Sequence, residues 1–217
     1  MKYSPDQYIL WEKGFVQINL TLVFTWVVMA IIILIAFIAR LKLTKGKDIS
    51  KFQSFFEIII GFMEEQITKI GGNDISNTVP FITTLFMFIL FSNLLSLIPK
   101  FISPTGSLST VTALSLTMII MDIFYRTKRY GSFGFFKKFS KPSLVMVPLN
   151  IITNLSGSVS MAIRLYGNIM SGFIISLVLL QVAFLTLGFP VFVQLITLVT
   201  SVVQAYIFAV LAMIYIS

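Results

Sequence analysis

The chain has 217 residues, of which 57% are hydrophobic and 11% charged, with a mean hydropathy of +0.97 and a net charge of +8. Soluble domains carry about 25% charged residues, so this composition belongs to an integral membrane protein, and the length suits one membrane domain. The basic residues gather at the ends of apolar runs, which argues against nucleic-acid binding. With no Cys and no His, disulfides, thiolate metal sites and the commonest general base are excluded, and no catalytic residue, metal or cofactor is expected.

Residues 1–19 precede the first span. Leu20 to Ala39 carries no charge over 20 residues, enough to cross a hydrocarbon core of about 30 Å at about 1.5 Å per residue. This run is too long for a secretory signal, and no small-residue cleavage site follows it. Over 52–70, apolar Phe55, Phe56, Ile59, Ile60 and Met63 interleave with Glu57, Glu64 and Glu65 at helical spacing. The pattern predicts an amphipathic helix on the membrane surface, ended by Gly71-Gly72-Asn73-Asp74. Val79 to Pro99 and Leu108 to Tyr125 are the second and third apolar stretches, a helical hairpin over 79–125. A longer hairpin occupies 144–217: one arm runs from Leu144 to about Leu187, the other from Pro190 to the end, with Gly188-Phe189-Pro190 as a tight turn. The expected fold is an all-α membrane protein of about five spans plus one interfacial helix. No internal repeat of the secondary-transporter kind is visible.

Lys and Arg set the orientation. Segments 40–78 and 126–143 together hold twelve of the sixteen, and the other flanks hold only Lys2, Lys13 and Lys100. Positive loops stay in the cytoplasm, which puts the N-terminus outside and the C-terminus inside.

The remaining basic residue, Arg164, lies about 20 residues from either end of its apolar region, or about 30 Å along a helix axis. Its side chain cannot snorkel that far, and a mid-membrane arginine costs from about 3 to more than 10 kcal/mol. The helix is about twice the length that a perpendicular span needs, so it is expected to tilt. Arg164 therefore requires water, carbonyl oxygens or a carboxylate. Asp122 is the one acid inside a span; either it pairs with Arg164, or the partner belongs to another subunit. Ser160, Arg164, Gly167 or Asn168, and Ser171 share a small, polar helix face, extended by Ser156, Gly157, Ser158 and Gly172. Small residues let another helix approach closely in lipid. The last helix carries a second polar stripe, Gln194, Thr197, Ser201 and Gln204. Ordinary interhelical hydrogen bonding accounts for most such Ser and Thr, but a glutamine at membrane depth needs several partners.

Arg164-Leu165-Tyr166-Gly167-Asn168 resembles the Arg-Leu-Phe-Gly-Asn signature of the F-type ATP synthase subunit a family. Gln204-Ala205-Tyr206-Ile207-Phe208 and the ending Tyr215-Ile216-Ser217 resemble that family's last helix. The run from Pro80 to Pro99, with Asn93-Leu94-Leu95 and then Pro104-Thr105, resembles its middle section. The resemblance implies two long, tilted helices paired as a hairpin against a ring of c subunits, with b subunits of a peripheral stalk and membrane lipid as further partners. It implies no catalysis in this chain, only passage of H+ or Na+ through two half-channels coupled to ring rotation. Arg164 would face the ion-binding carboxylate of each passing c subunit, Gln204 would lie beside it, and Asn168 would border a half-channel. Proton-translocating members often carry Glu nine residues after the arginine and His seven before the glutamine. Phe173 and Thr197 stand there in this chain, so the path is expected to use water, hydroxyls and amides such as Ser160, Ser171, Ser176, Gln194, Thr197, Thr200 and Ser201, with Asp122 a further candidate. The N-terminal run Ser4-Pro5-Asp6, Trp11, Asn19 and Thr21 to Trp26 resembles the sodium-type branch of these enzymes. A bacterial plasma membrane is the expected location, with the mitochondrial inner membrane as the alternative. The competing functional reading is a self-contained ion carrier or channel, which would need a midplane site made by broken helices. An intramembrane hydrolase would need a base near Ser156 or Ser160, and none is near in sequence.

Overall fold

The structure is a computed structural model that describes residues 9–13, 16–41, 51–71, 78–96, 98, 101–139, 146–182 and 188–216. Six helices carry the fold: α1 Leu20–Leu41, α2 Lys51–Gly71, α3 Val79–Leu95, α4 Leu108–Phe139, α5 Met146–Val182 and α6 Gly188–Ile216. Four of them, α1, α4, α5 and α6, contain windows long and apolar enough to cross a membrane. The second expected span, α3, is shorter, at 17 residues. At about 1.5 Å per residue it covers about 26 Å, near the lower limit for a spanning helix. Pro80 sits in its first turn, where a missing N–H costs no hydrogen bond. At its other end the Ser96 N–H and hydroxyl both bond to the Asn93 carbonyl and close the last turn.

Two features go beyond the sequence reading. The strands β1 Ile9–Lys13 and β2 Val16–Asn19 pair antiparallel, and β2 leads directly into α1. The helix of the third span does not stop at Tyr125 but continues through the basic segment to Phe139. Nothing between those positions ends a helix, since the next proline is Pro142. The turn expected at Gly188-Phe189-Pro190 is instead the first turn of α6; residues 183–187, between α5 and α6, lie outside the described residues, as does the Gly72-Asn73-Asp74 stop after α2.

The hub is α6, which touches α2, α3, α4 and α5. Its Ala205, Ala209 and Ala212 are fully buried beside Phe208 and Met213, and residues this small let neighbouring backbones approach closely. The core continues through Ile82, Leu85 and Ile89 of α3, Val111 and Met118 of α4, and Met161 and Leu165 of α5. Two glycines fix how α5 lies on α6. A Cβ at Gly157 would collide with the Tyr215 hydroxyl, and one at Gly172 with Thr197. These anchors make the two helices antiparallel, the hairpin expected from the sequence. On α2, Met63 and Ile67 are buried against the bundle, while Glu57, Glu64 and Glu65 are exposed. Large apolar side chains such as Ile33, Phe37, Ile120, Ile163 and Val199 cover the outside. In water such a surface would aggregate; it suits contact with lipid.

Candidate functional site

Along α5, Ser158, Met161, Ala162, Leu165, Ile169 and Gly172 face inward at helical spacing. The opposite face carries Ser156, Ser160, Arg164, Gly167 and Ser171, all exposed. The small residues that looked like one stripe in the sequence thus divide by direction. Gly157, Ser158 and Gly172 serve this chain's own packing, the two glycines admitting α6. Ser156, Ser160, Gly167 and Ser171 leave a shallow outer surface, and the space around Gly167 is open. Arg164 projects from that surface and has no hydrogen bond or ion pair among the described residues. Asn168 is half-buried beside it on the helix, and Ser171 turns its hydroxyl back to the Asn168 carbonyl, 3.2 Å away.

The Arg164–Asp122 pair left open by the sequence does not form. Asp122 is 7% exposed and accepts a 2.6 Å ion-pair hydrogen bond from Arg126 Nε, one turn further along α4. Helical neighbours four residues apart face each other, so the acid has a local partner that costs no long-range fit.

The stripe on α6 leads inward. Gln194 is exposed and reaches the Ser96 carbonyl at 3.4 Å; Thr197 is half-buried against Gly172; Ser201 and Gln204 are buried. The hydroxyls of Thr197 and Ser201 are satisfied by α6 carbonyls one turn back, at 3.0 and 2.7 Å, and Thr200 bonds likewise on the exposed side. Gln204 differs: it is 3% exposed, and its Nε2 has no partner among the described residues. A buried amide donor without an acceptor costs about 1–3 kcal/mol, and none is found for it among the described residues. Arg164 lies between the two glycine anchors on α5, and Gln204 lies between their contacts Thr197 and Tyr215 on α6. The two therefore occupy the same middle stretch of the helix pair.

A cavity of about 110 Å³ opens between the segment after α3, the second half of α5 and the start of α6. Ser96, Phe101, Ser103, Phe173, Ser176, Gln194 and Thr197 are among its lining residues. The two positions that depart from the family's protonatable pattern, Phe173 and Thr197, thus meet in one space. Ser176, Gln194 and Thr197 of the expected path line it; Asp122, Ser160, Ser171, Thr200 and Ser201 do not. Sequence reasoning missed the wall formed by Ser96, Phe101, Ile102, Ser103 and Gly106. It is held by a buried network in which Asn93 donates to the Ser201 carbonyl at 3.2 Å and accepts from Thr105 Oγ1 at 2.7 Å. Ser103 bonds Thr105 and the Ser92 carbonyl. A turn of 3₁₀ helix over Pro104–Gly106 brings the hydroxyls to Asn93. The available signal was a cluster of Ser, Thr, Pro and Gly bounded by apolar helices, which reads equally well as an ordinary surface loop.

The chain matches the family described as ATP synthase A chain over residues 22–217. Among similar proteins, ATP synthase subunit a 2 of Acaryochloris marina is 42% identical over the whole chain and 92% of its own length. ATP synthase subunit a 1 of Chlorobaculum parvum is 40% identical over the whole chain and 95% of its length. ATP synthase subunit a of Albidiferax ferrireducens is 37% identical over the whole chain and 93% of its length. The chain belongs to the ATP synthase subunit a family. It is a membrane subunit of an F-type ATP synthase, concerned with ion transport and not with catalysis. Its bacterial relatives place this family member in the bacterial plasma membrane. The exposed Arg164 stripe and the Gln204 helix are thus features of an ATP synthase subunit, whose work is done in a complex.

Proposed function

We propose that this chain forms two ion half-channels beside a ring of c subunits and couples the passage of H+ or Na+ to rotation of that ring. The observation that carries the reading is Arg164: exposed on a face of small residues, within a membrane helix, and without a partner among the described residues. A cation so placed is stable only if a carboxylate or water comes to it from outside the chain. Ser160, Gly167 and Ser171 leave room for a ring helix to bring one close. The guanidinium would draw an emptied carboxylate toward it, repel a bound cation, and block direct leakage between the half-channels. Peripheral-stalk b subunits are the further proposed partner.

The cavity walled by Phe173, Ser176, Gln194 and Thr197 supports an access path from one side of the membrane, the outer side if basic segments 40–78 and 126–143 are cytoplasmic. Its polar groups are hydroxyls and amides, so ions would move through it with water and not by protonation of a side chain. Gln204, with its unused donor, would meet the ion or the ring carboxylate where the path ends.

The test is ATP-driven pumping by the purified complex in sealed vesicles, read with a pH-sensitive dye and with radiolabelled Na+. Arg164→Ala is expected to reduce both signals to background while the complex still assembles. Normal pumping by that variant would refute the reading.

A further inference from the structure

The proposed ion pathway makes no use of Asp122 and Arg126, yet the structure gives them defined work. Asp122 Oδ1 receives Arg126 Nε at 2.6 Å, and this leaves the outer edge of the guanidinium turned to α6, where Nη2 donates to the Tyr215 carbonyl. The last carbonyls of a helix have no partner within it and carry its negative pole, so a cation is well matched to them. Here the cation comes from a different helix, and a buried carboxylate holds its planar fork in place. Tyr215 acts on both sides. Its carbonyl is held from α4, while its hydroxyl end abuts Gly157 of α5, where a Cβ would collide with it. Gly157 is seven residues, about two helical turns, before Arg164. One cluster therefore joins α4, α5 and α6 at the end of the bundle opposite the cavity.

We propose that Asp122 and Arg126 are positioning residues: a clamp on the C-terminal end of α6 that, through Tyr215 and Gly157, sets the register of α5 and so the place of Arg164. The proposal rests on the reading of Arg164 given above. The rotor helices would exert a sideways load on α5 as they pass, and the clamp is a polar tie that joins α4 to the end of α6.

The measurement is the number of ions pumped per ATP hydrolysed, per assembled complex, in sealed vesicles. Asp122→Asn and Arg126→Gln are each expected to lower this ratio several-fold. The double variant decides the cause. With both charges gone, no unpaired charge remains, so a purely electrostatic defect would be repaired, whereas the α6 end stays unheld. The ratio is expected to stay low in the double variant; recovery to the native ratio would overturn the clamp. Arg126→Lys covers failure of the neutral variants to assemble. It keeps the charge but cannot span Asp122 and the Tyr215 carbonyl with one rigid fork, so a lowered ratio supports the proposal and a native ratio overturns it. Arg164→Ala in the same preparation separates the two claims. If it pumps normally, the reading of Arg164 fails. If it is inactive while the Asp122 and Arg126 variants keep the native ratio, only the clamp fails.

Discussion

Arg126 and Arg164 both lie in membrane helices of this chain, and their surroundings are opposite. Arg126 has a carboxylate one turn away and a helix end within reach, and its interactions stay inside the polypeptide. Arg164 stands on an exposed face of small residues with nothing among the described residues to neutralise it. A membrane penalises both, so each must be compensated. Where compensation is local, the arginine is scaffold. Where none is found among the described residues, the proposed function supplies it from another molecule. The two sets of glycines repeat the lesson: Gly157 and Gly172 are filled by α6 of the same chain, and Gly167 is filled by nothing.

That contrast can be broken most sharply at the glycines. Gly167→Leu is expected to abolish pumping by the assembled complex, because the side chain would stand in the path that the proposed function gives to a ring helix, yet to leave this chain's own thermal unfolding unchanged. Gly172→Val is expected to do the reverse in part, since crowding against Thr197 should cost about 1–3 kcal/mol and lower the thermal midpoint in detergent. If both variants behaved alike, the division of the stripe into inner and outer faces would be wrong. A smaller effect is expected at the cavity. Phe173→Glu would place a titratable carboxyl in the cavity that Thr197 also lines. Pumping by this variant should acquire a pH-dependent step, absent from the parent, as that carboxyl ionises; an unchanged pH profile would argue that ions do not pass the cavity. The smallest effect is expected on the exposed side of α2. There a hydrogen bond from Lys69, and then its charge, hold the Glu65 carboxyl below its ordinary pKa. The stabilisation is present above the ordinary carboxylate range and lost as pH falls through the lowered value. Water screens the pair fully, so Glu65→Gln should leave the thermal midpoint and the pumping rate within error at neutral pH.

Much of the architecture was legible beforehand. The all-α membrane fold built of long apolar helices was one such feature, because hydrocarbon thickness and helical rise act on local composition. The length of α4 was not legible, since basic residues mark the membrane boundary but do not end a helix. The pairing of β1 with β2 was not legible either, those residues having been taken only as part of the segment before the first span. Within the site, Arg164 stood out because a charge in an apolar run is conspicuous in one dimension. The cavity wall of Ser96, Phe101, Ser103 and Gly106 did not, because the hydroxyls of Ser103 and Thr105 acquire meaning only when Asn93 of α3 and Ser201 of α6 are brought together.

The sequence by itself determined that this protein lives in a membrane, that it carries one arginine deep in an apolar helix, and that its motifs are those of an ATP synthase subunit a. Those properties reside in composition, spacing and short runs of residues. Only the tertiary structure decided that Asp122 belongs to Arg126, that Gly157 and Gly172 face α6 while Gly167 faces outward, and that Phe173 and Thr197 share a cavity. The rotation of a helix about its own axis, and the neighbour it meets there, are set by packing between segments far apart in the chain.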